Sequence, residues 1–185
     1  MCFKKELALF LRDNDMIKFG NFKLSSGNVS NFYLDMRMLY GYPQQFYKIT
    51  QRLLKMIINK TGLGNFDCIT AIPTSGLIIT SALALESMKP LIYVRNYKKK
   101  YGMSKQIEGK MSKNVRTVII DDVMTTGESI EKCIKMLRKN SIIVTDIYII
   151  VNRNSKPNKF IESEKICIHE VIHVDEIFKF LNIRK

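Results

Sequence analysis

The sequence predicts an α/β protein built on a doubly wound, mostly parallel sheet. Two observations carry this. Short continuous apolar runs over 66–72, 91–95, 115–120 and 142–151 read as strands buried on both faces. The stretches 77–88 and 130–139 between them carry apolar residues at helical spacing. Strands without polar alternation, separated by helices, are the pattern of a parallel sheet covered on both sides. At 185 residues the chain fits one domain, which usually runs to about 100–200 residues.

The elements follow in order. Phe3, Leu7, Phe10 and Leu11 share one face of a helix over 3–11, which the polar run Arg12 to Asp15 ends. In 19–37, Gly20, Ser25, Ser26, Gly27 and Asn28 mark turns between short extended pieces. A second helix is expected over 43–59, with Phe46, Ile49, Leu53, Met56 and Ile57 on one side and Gly62 and Gly64 closing it. After the strand at 66–72 come the helix at 77–88 and the strands at 91–95 and 115–120. The helix at 130–139 sets Ile130, Cys133, Ile134 and Leu137 at i, i+3, i+4 and i+7, and the strand at 142–151 follows. Near the end ICIHEVIHV reads as a further strand, with Asp175 capping a short last helix.

Composition narrows the function classes. An apolar fraction of 46% excludes disorder. No apolar run approaches the roughly 18–20 residues of a spanning helix. The four cysteines, Cys2, Cys68, Cys133 and Cys167, form no CxxC pair; three sit in apolar surroundings and are expected as small core residues. With no signal-peptide cleavage site behind the N-terminal segment, the protein is expected to be reduced and cytoplasmic. There are 30 Lys and Arg against 17 Asp and Glu, a net charge of +13. A field of that sign gathers anions: nucleic acid, an acidic membrane surface or a polyanionic small molecule. A lysine-rich composition serving only solubility accounts for it equally well, so the location of the charge has to decide.

The most informative segment is VIIDDVMTTGESI, 118–130. A buried strand ends in two carboxylates, Asp121 and Asp122, and a short loop, Thr125, Thr126, Gly127, Glu128 and Ser129, leads into a helix. Free N–H groups at a helix start, Thr and Ser hydroxyls and a glycine that lets backbone approach make a phosphate cradle. Carboxylates suit sugar hydroxyls, or a magnesium ion carried by a diphosphate. One ligand with a phosphate beside a ribose satisfies both halves. An N-capping Thr and a solvated acidic turn would explain the loop but not the paired carboxylates.

Residues 118–129 resemble the phosphoribosyl pyrophosphate (PRPP) signature of type I phosphoribosyltransferases: apolar residues, two acids, then a Thr/Gly/Ser loop. FKLSSGNVSNFYLDMR, 22–37, resembles the N-terminal stretch of the orotate phosphoribosyltransferases, F-x-L-x-SG followed by an aromatic pair and D-x-R. AIPTSG, 71–76, resembles their pyrophosphate-contacting loop, and YVRNYKKKYGMSKQIEGK, 93–110, their catalytic loop, Y-V-R-K-x-x-K-x-H-G followed by E-G. IIVNRN, 149–154, resembles the strand end whose Arg holds the orotate carboxylate. The resemblance runs in order along nearly the whole chain.

It implies a single domain over 1–185, with a small hood from about 1–40 and the C-terminal segment on a type I phosphoribosyltransferase sheet. The implied activity is transfer of phosphoribose from PRPP to orotate in pyrimidine synthesis. Lys99, Arg95, Asp121 and Asp122 are implied as catalytic. PRPP contacts fall on Arg95, Asn96, Lys99, Tyr101, Thr74, Ser75, Asp121, Asp122, Val123, Met124, Thr125, Thr126, Gly127, Glu128 and Ser129. Orotate contacts fall on Thr125, Arg153, Ser25 and Phe32. Mg2+ is implied as cofactor, held mainly through PRPP near Asp121 and Asp122. A homodimer is implied in which the 95–110 loop completes the neighbour's site; no membrane or nucleic-acid partner is expected. The chain departs from the family pattern at Ser25 and Ser75, each often Lys, at Asn96 for the loop's second Lys and at Tyr101 for its His, with Lys98 and Lys100 available to supply charge.

Two rival readings share the fold: transfer to another base such as a purine, for which Arg153 would be idle, and a PRPP-sensing regulator that binds nucleic acid through its basic surface. The H-E-x-x-H of His169, Glu170 and His173 is nominally a zinc motif. It needs a helix, whereas a strand would part the two His by about 13 Å at roughly 3.3 Å per residue.

Overall fold

The computed structural model describes residues 2–23, 29–95, 106–110, 112, 114–154, 156 and 158–183. Its elements are α1 (Phe3–Asp13), β1 (Ile17–Lys23), β2 (Val29–Leu34), α2 (Pro43–Lys60), β3 (Cys68–Ala71), α3 (Ser75–Ser87), β4 (Leu91–Val94), β5 (Ile107–Glu108), β6 (Arg116–Met124), α4 (Glu128–Lys139), β7 (Ile143–Asn152), α5 (Lys159–Ser163), β8 (Cys167–His173) and α6 (Val174–Phe180). Short 3-10 turns at Met36–Gly41 and Leu63–Asn65 join them.

The main sheet has the order β5-β4-β3-β6-β7-β8. All its pairings are parallel except the short antiparallel β4–β5 edge. Successive residues of a strand point to opposite faces, so β6 and β7 feed two cores. On one face Leu7, Leu11, Ile49, Leu53, Ile57, Ile79 and Leu83 cover Val118, Ile120, Tyr148 and Ile150. On the other, Cys133, Ile134 and Leu137 of α4, with Ile161 of α5, cover Ile119, Ile147 and Ile149. Burial on both faces explains why these strands read as unbroken apolar runs. The β1–β2 hairpin is antiparallel with a register shift between Phe19 and Phe22. It rests on α6, where Phe178 meets Phe32 edge-on at 5.0 Å and Phe19 at 6.0 Å. Lys4 ties α1 to Glu176 of α6 at 2.7 Å.

Several expectations shift. β6 does not stop before the carboxylates: Asp121 pairs with Ile149 and Val123 with Val151, because the backbone ladder is indifferent to what the side chains carry. α4 starts at Glu128, two residues ahead of its first buried apolar position, Ile130. The last helix is capped by His173, not Asp175. His173 Nδ1 accepts from the Asp175 N–H at 3.2 Å, and Glu176 accepts from the His173 N–H at 3.0 Å. β8 thus runs straight into α6, and Asp175 falls in the first turn. Of the three cysteines expected in the core, only Cys68 and Cys133 are buried; Cys2 and Cys167 are exposed. The H-E-x-x-H segment is strand β8, in which His169 bonds Asp146, Glu170 accepts from Asn152 and His173 caps α6. The 3-10 turns, the two-residue β5 and the five-residue α5 are too short to show periodicity in sequence.

Candidate active site

Because five neighbouring strands are parallel, their carboxyl ends line one edge, and the segments leaving β3, β4, β6 and β7 converge there. Asp121 and Asp122, both buried, sit near the end of β6. The Asp122 N–H donates to Asp121 Oδ1 at 3.0 Å, and the Val123 N–H donates to Asp122 Oδ1 at 2.9 Å. Burial first, and then the charge of Asp122, push the Asp121 carboxyl well above the ordinary carboxylate range. Its position requires a glycine opposite: a Cβ on Gly76, in the first turn of α3, would lie 2.5 Å from Asp121 Oδ1.

After β3, Thr74 is exposed and Ser75 half-buried, beyond a cis Pro73–Thr74 peptide. The Tyr40 hydroxyl donates to the Ser75 carbonyl at 2.5 Å. Burial, helped by the charges of Asp122 and Asp121, pushes that hydroxyl's pKa up. Beside it, Arg37 grips Asp35 through Nε at 2.6 Å and Nη2 at 2.7 Å, and donates to the Tyr33 hydroxyl at 2.9 Å. Tyr40 and Arg37 were not picked out in the sequence; Arg37 lies in the quoted D-x-R, and nothing local singles out Tyr40.

Beyond Met124 the chain opens. Thr125 and Thr126 are exposed, and Gly127, at φ +80, starts α4 without a side-chain cap. The first N–H groups of α4 therefore face outward with little internal satisfaction, since only Glu128 N reaches Thr126 Oγ1, at 3.4 Å. Glu128 and Ser129 are exposed on that first turn. Val123 and Met124 are placed differently from the loop: Met124 is buried in one core and Val123 packs on the other, so they offer backbone only.

After β7, the Arg153 guanidinium lies 4.1 Å over the Phe32 ring. Its Nη2 donates to Ser30 Oγ at 3.1 Å and to the Phe32 carbonyl at 3.4 Å. Its Nε is buried without a partner, and among the described residues Arg153 makes no ion pair. Burial lowers its pKa from the ordinary arginine value. Thus residues 121 positions apart, Phe32 and Arg153, form one seat. A planar ring bearing a carboxylate would supply the missing counter-charge in bidentate geometry.

Arg95, at the end of β4, pairs with Glu108 of β5 at 3.5 Å, and its N–H donates to the Gln106 carbonyl at 2.8 Å. Both ends of the basic loop are therefore rooted in one hairpin. Ser25, Asn96, Lys99 and Tyr101 lie outside the described residues, as do Lys98 and Lys100. A cleft of about 570 Å³ between this hairpin and α4 is lined by Arg95, Gln106, Ser129, Lys132 and Lys139 among others, so part of the positive charge borders the loop at 125–129. Among the described residues no three metal-ligating side chains gather. Two adjacent acids fit a hard cation held mainly by its substrate and by water rather than in a protein cage.

Residues 42–180 match the model of the phosphoribosyl transferase domain. The chain is 36% identical over 182 residues to the orotate phosphoribosyltransferase of Cenarchaeum symbiosum, covering 98% of this chain and 91% of that one. It is 35% identical over 185 residues to that of Pyrococcus horikoshii, covering 100% and 98%. Among solved structures it resembles the orotate phosphoribosyltransferase from Aeropyrum pernix, with TM-score 0.82, 33% identity and coverage of 95% of this chain and 98% of that one. It also resembles the UMP synthase of Leishmania donovani, with TM-score 0.84 and 31% identity, covering 98% of this chain and 38% of that longer one. Matched from end to end by such relatives and carrying their arrangement of loops on a parallel sheet edge, the chain belongs to the orotate phosphoribosyltransferase family.

Proposed function

We propose that this chain transfers the phosphoribosyl group of PRPP to orotate in pyrimidine synthesis, giving orotidine 5'-monophosphate and pyrophosphate. The observation that carries the choice of base is the half-buried Arg153 guanidinium stacked on Phe32 with no ion pair among the described residues. An uncharged base would leave it uncompensated, whereas the orotate carboxylate satisfies it.

In the reaction the C1–oxygen bond to the diphosphate breaks and its electron pair leaves with pyrophosphate. The orotate ring nitrogen gives up its proton to solvent and forms the new bond to C1, on the way through an oxocarbenium-like transition state. Catalysis of this kind rests on positioning and on stabilising the leaving charge. The 5'-phosphate sits at Thr125, Thr126, Gly127, Glu128 and Ser129, where uncapped N–H groups of α4 meet it. Asp121 and Asp122 take the ribose hydroxyls, which relieves the repulsion between the two carboxyls. Thr74 and Ser75 border the diphosphate; Thr125, Ser25 and Phe32 border orotate. Magnesium, which Asp121 and Asp122 would help hold, neutralises diphosphate charge when bound with PRPP.

The functional unit in this reading is a homodimer, in which Arg95, Asn96, Lys99 and Tyr101 act on the neighbour's pyrophosphate. Exposed Ile78 and Leu85 on α3, with Met88 at its C-terminal cap, supply apolar surface for such pairing. The hood formed by about 1–40 with the C-terminal segment belongs to the same single domain and closes over the base. Four free thiols, two of them exposed, suit a reducing cytoplasm.

The test is pyrophosphate release from PRPP and magnesium with orotate, uracil, adenine or hypoxanthine. Release with orotate alone is expected. Release with uracil would remove the role of Arg153, release with a purine would change the base, and silence with all four would end the enzymatic reading. Lys99→Ala should cut kcat by about 100-fold, the size of losing one preorganised donor to developing charge; unchanged turnover would remove the loop from the mechanism.

A further inference from the structure

One side chain outside these loops touches the 125–129 segment from behind. Asn158 precedes α5, and its Oδ1 accepts from the Ile161 N–H at 3.1 Å, capping that helix. Its Nδ2 donates to the Thr126 carbonyl at 2.9 Å, across 32 residues of sequence. Gly127 is pressed against the same amide: a Cβ there would lie 3.1 Å from Asn158 Nδ2 and 3.3 Å from Asn158 Cβ. The backbone of Gly127, at φ +80, has the left-handed turn that glycine tolerates.

A trans peptide is planar, with its C=O and N–H pointing in opposite directions. Pinning the Thr126 carbonyl toward Asn158 therefore turns the Gly127 N–H away from Asn158, toward the side where Thr125 and Thr126 are exposed. An unpinned Thr126–Gly127 peptide is free to rotate, and in the flipped state it presents a carbonyl oxygen, which repels an anion.

We infer that Asn158 is a positioning residue that sets the phosphate affinity of the 125–129 loop by fixing the Thr126–Gly127 peptide with its N–H facing the substrate phosphate. The inference rests on the phosphate role proposed for that loop. It adds a determinant from the segment after β7, which no local phosphate motif marks.

The bonds of Asn158 to Ile161 and to Thr126 can be separated, its side-chain amide meeting the Glu131 carboxylate as well. Asn158→Ser keeps an N-cap acceptor for α5 but is too short to reach the Thr126 carbonyl, whereas Asn158→Ala loses both. PRPP affinity, measured directly by calorimetry with magnesium present, should weaken about tenfold in both variants, the worth of one orienting hydrogen bond. The melting temperature should fall in both variants, and further in Asn158→Ala, which loses the α5 cap as well. At saturating PRPP, kcat should stay within about twofold, and the KM for orotate should not move. With inorganic phosphate as probe, the Gly127 amide resonance should shift on titration in the wild type and much less in Asn158→Ser. Wild-type PRPP affinity in Asn158→Ser would overturn the inference and leave Asn158 as a cap alone. A wild-type chain that binds PRPP tightly yet turns over no orotate would refute the proposed reaction while leaving the Asn158 comparison decisive. A wild-type chain that binds neither PRPP nor phosphate would overturn both.

Discussion

Of the polar groups set into the sheet, one toward each end is finished very differently from the other. Toward the amino ends of the strands, Asp146 accepts from Thr61 at 2.9 Å and pairs with His169 at 2.7 Å. Thr61 shares a 2.6 Å hydrogen bond with Tyr148, whose ring stacks on His169 at 4.6 Å. Each member has a protein partner, and together they fasten the end of α2 to β7 and β8. Toward the carboxyl ends, Asp121 and Asp122 accept from backbone N–H groups of their own strand, and the negative charge of Asp122 opposes ionisation of Asp121. A satisfied network holds a fold, whereas an unsatisfied buried pair costs stability and is retained where a ligand completes it. The difference separates a fastening from a site without reference to any relative.

The sharpest way to break this contrast is Asp121→Asn. It should lower kcat/KM by about 100-fold yet raise stability by about 1 kcal/mol, since it removes a buried charge that the free protein does not compensate. The pH dependence carries the sign. The Asp121 carboxyl titrates higher in the folded chain than in the unfolded one, so the folded state binds the extra proton. Stability contributed by Asp121 therefore falls as pH rises from about 4 through the folded value. Urea unfolding across that window should show a steeper decline in the wild type than in Asp121→Asn, and parallel curves would refute the shifted carboxyl.

Gly76→Ala comes next, because its Cβ would sit 2.5 Å from Asp121 Oδ1. It should cost about 2–3 kcal/mol of stability by overpacking, and PRPP affinity should fall with it, measurable by thermal melts and calorimetry. In the other group, Asp146→Ala strands His169 and leaves Thr61 with its bond to Tyr148 alone, and should cost about 2 kcal/mol. The surviving folded enzyme should keep wild-type kcat/KM, and a specific loss of activity would erase the distinction between the two ends. Tyr148→Phe removes one shared hydrogen bond and should cost about 1 kcal/mol, with activity untouched.

Much of the architecture was legible because strands buried on both faces leave apolar runs, as at Val118–Ile120 and Ile147–Val151. The acid pair and the loop into α4 were legible because their parts are contiguous from Asp121 to Ser129. What could not be read lies between distant residues. Thr61 meets Asp146 across 85 positions and Asn158 meets Thr126 across 32, and no local pattern in Thr, Asn or His announces such a partner. Gly76 was in view within AIPTSG, but its reason for being glycine is a carboxylate on another strand. Strand ends were misplaced at β6 because side-chain chemistry changes at Asp121 while the ladder continues to Met124.

The parallel order of β4, β3, β6, β7 and β8 has one more consequence, for how such a chain can change over time. The segments proposed to meet the ligands leave one edge, while the residues that hold the sheet together are sealed under two separate cores. On the function proposed above, a substitution at Arg153 would alter which base is accepted without loosening either core. One at Phe32, a member of one core packed on Phe178, would disturb that core as well. On the same reading, substitutions at 125–127 or at Asn158 would alter how firmly the sugar phosphate is gripped. Preference and grip would then be separable properties of one scaffold.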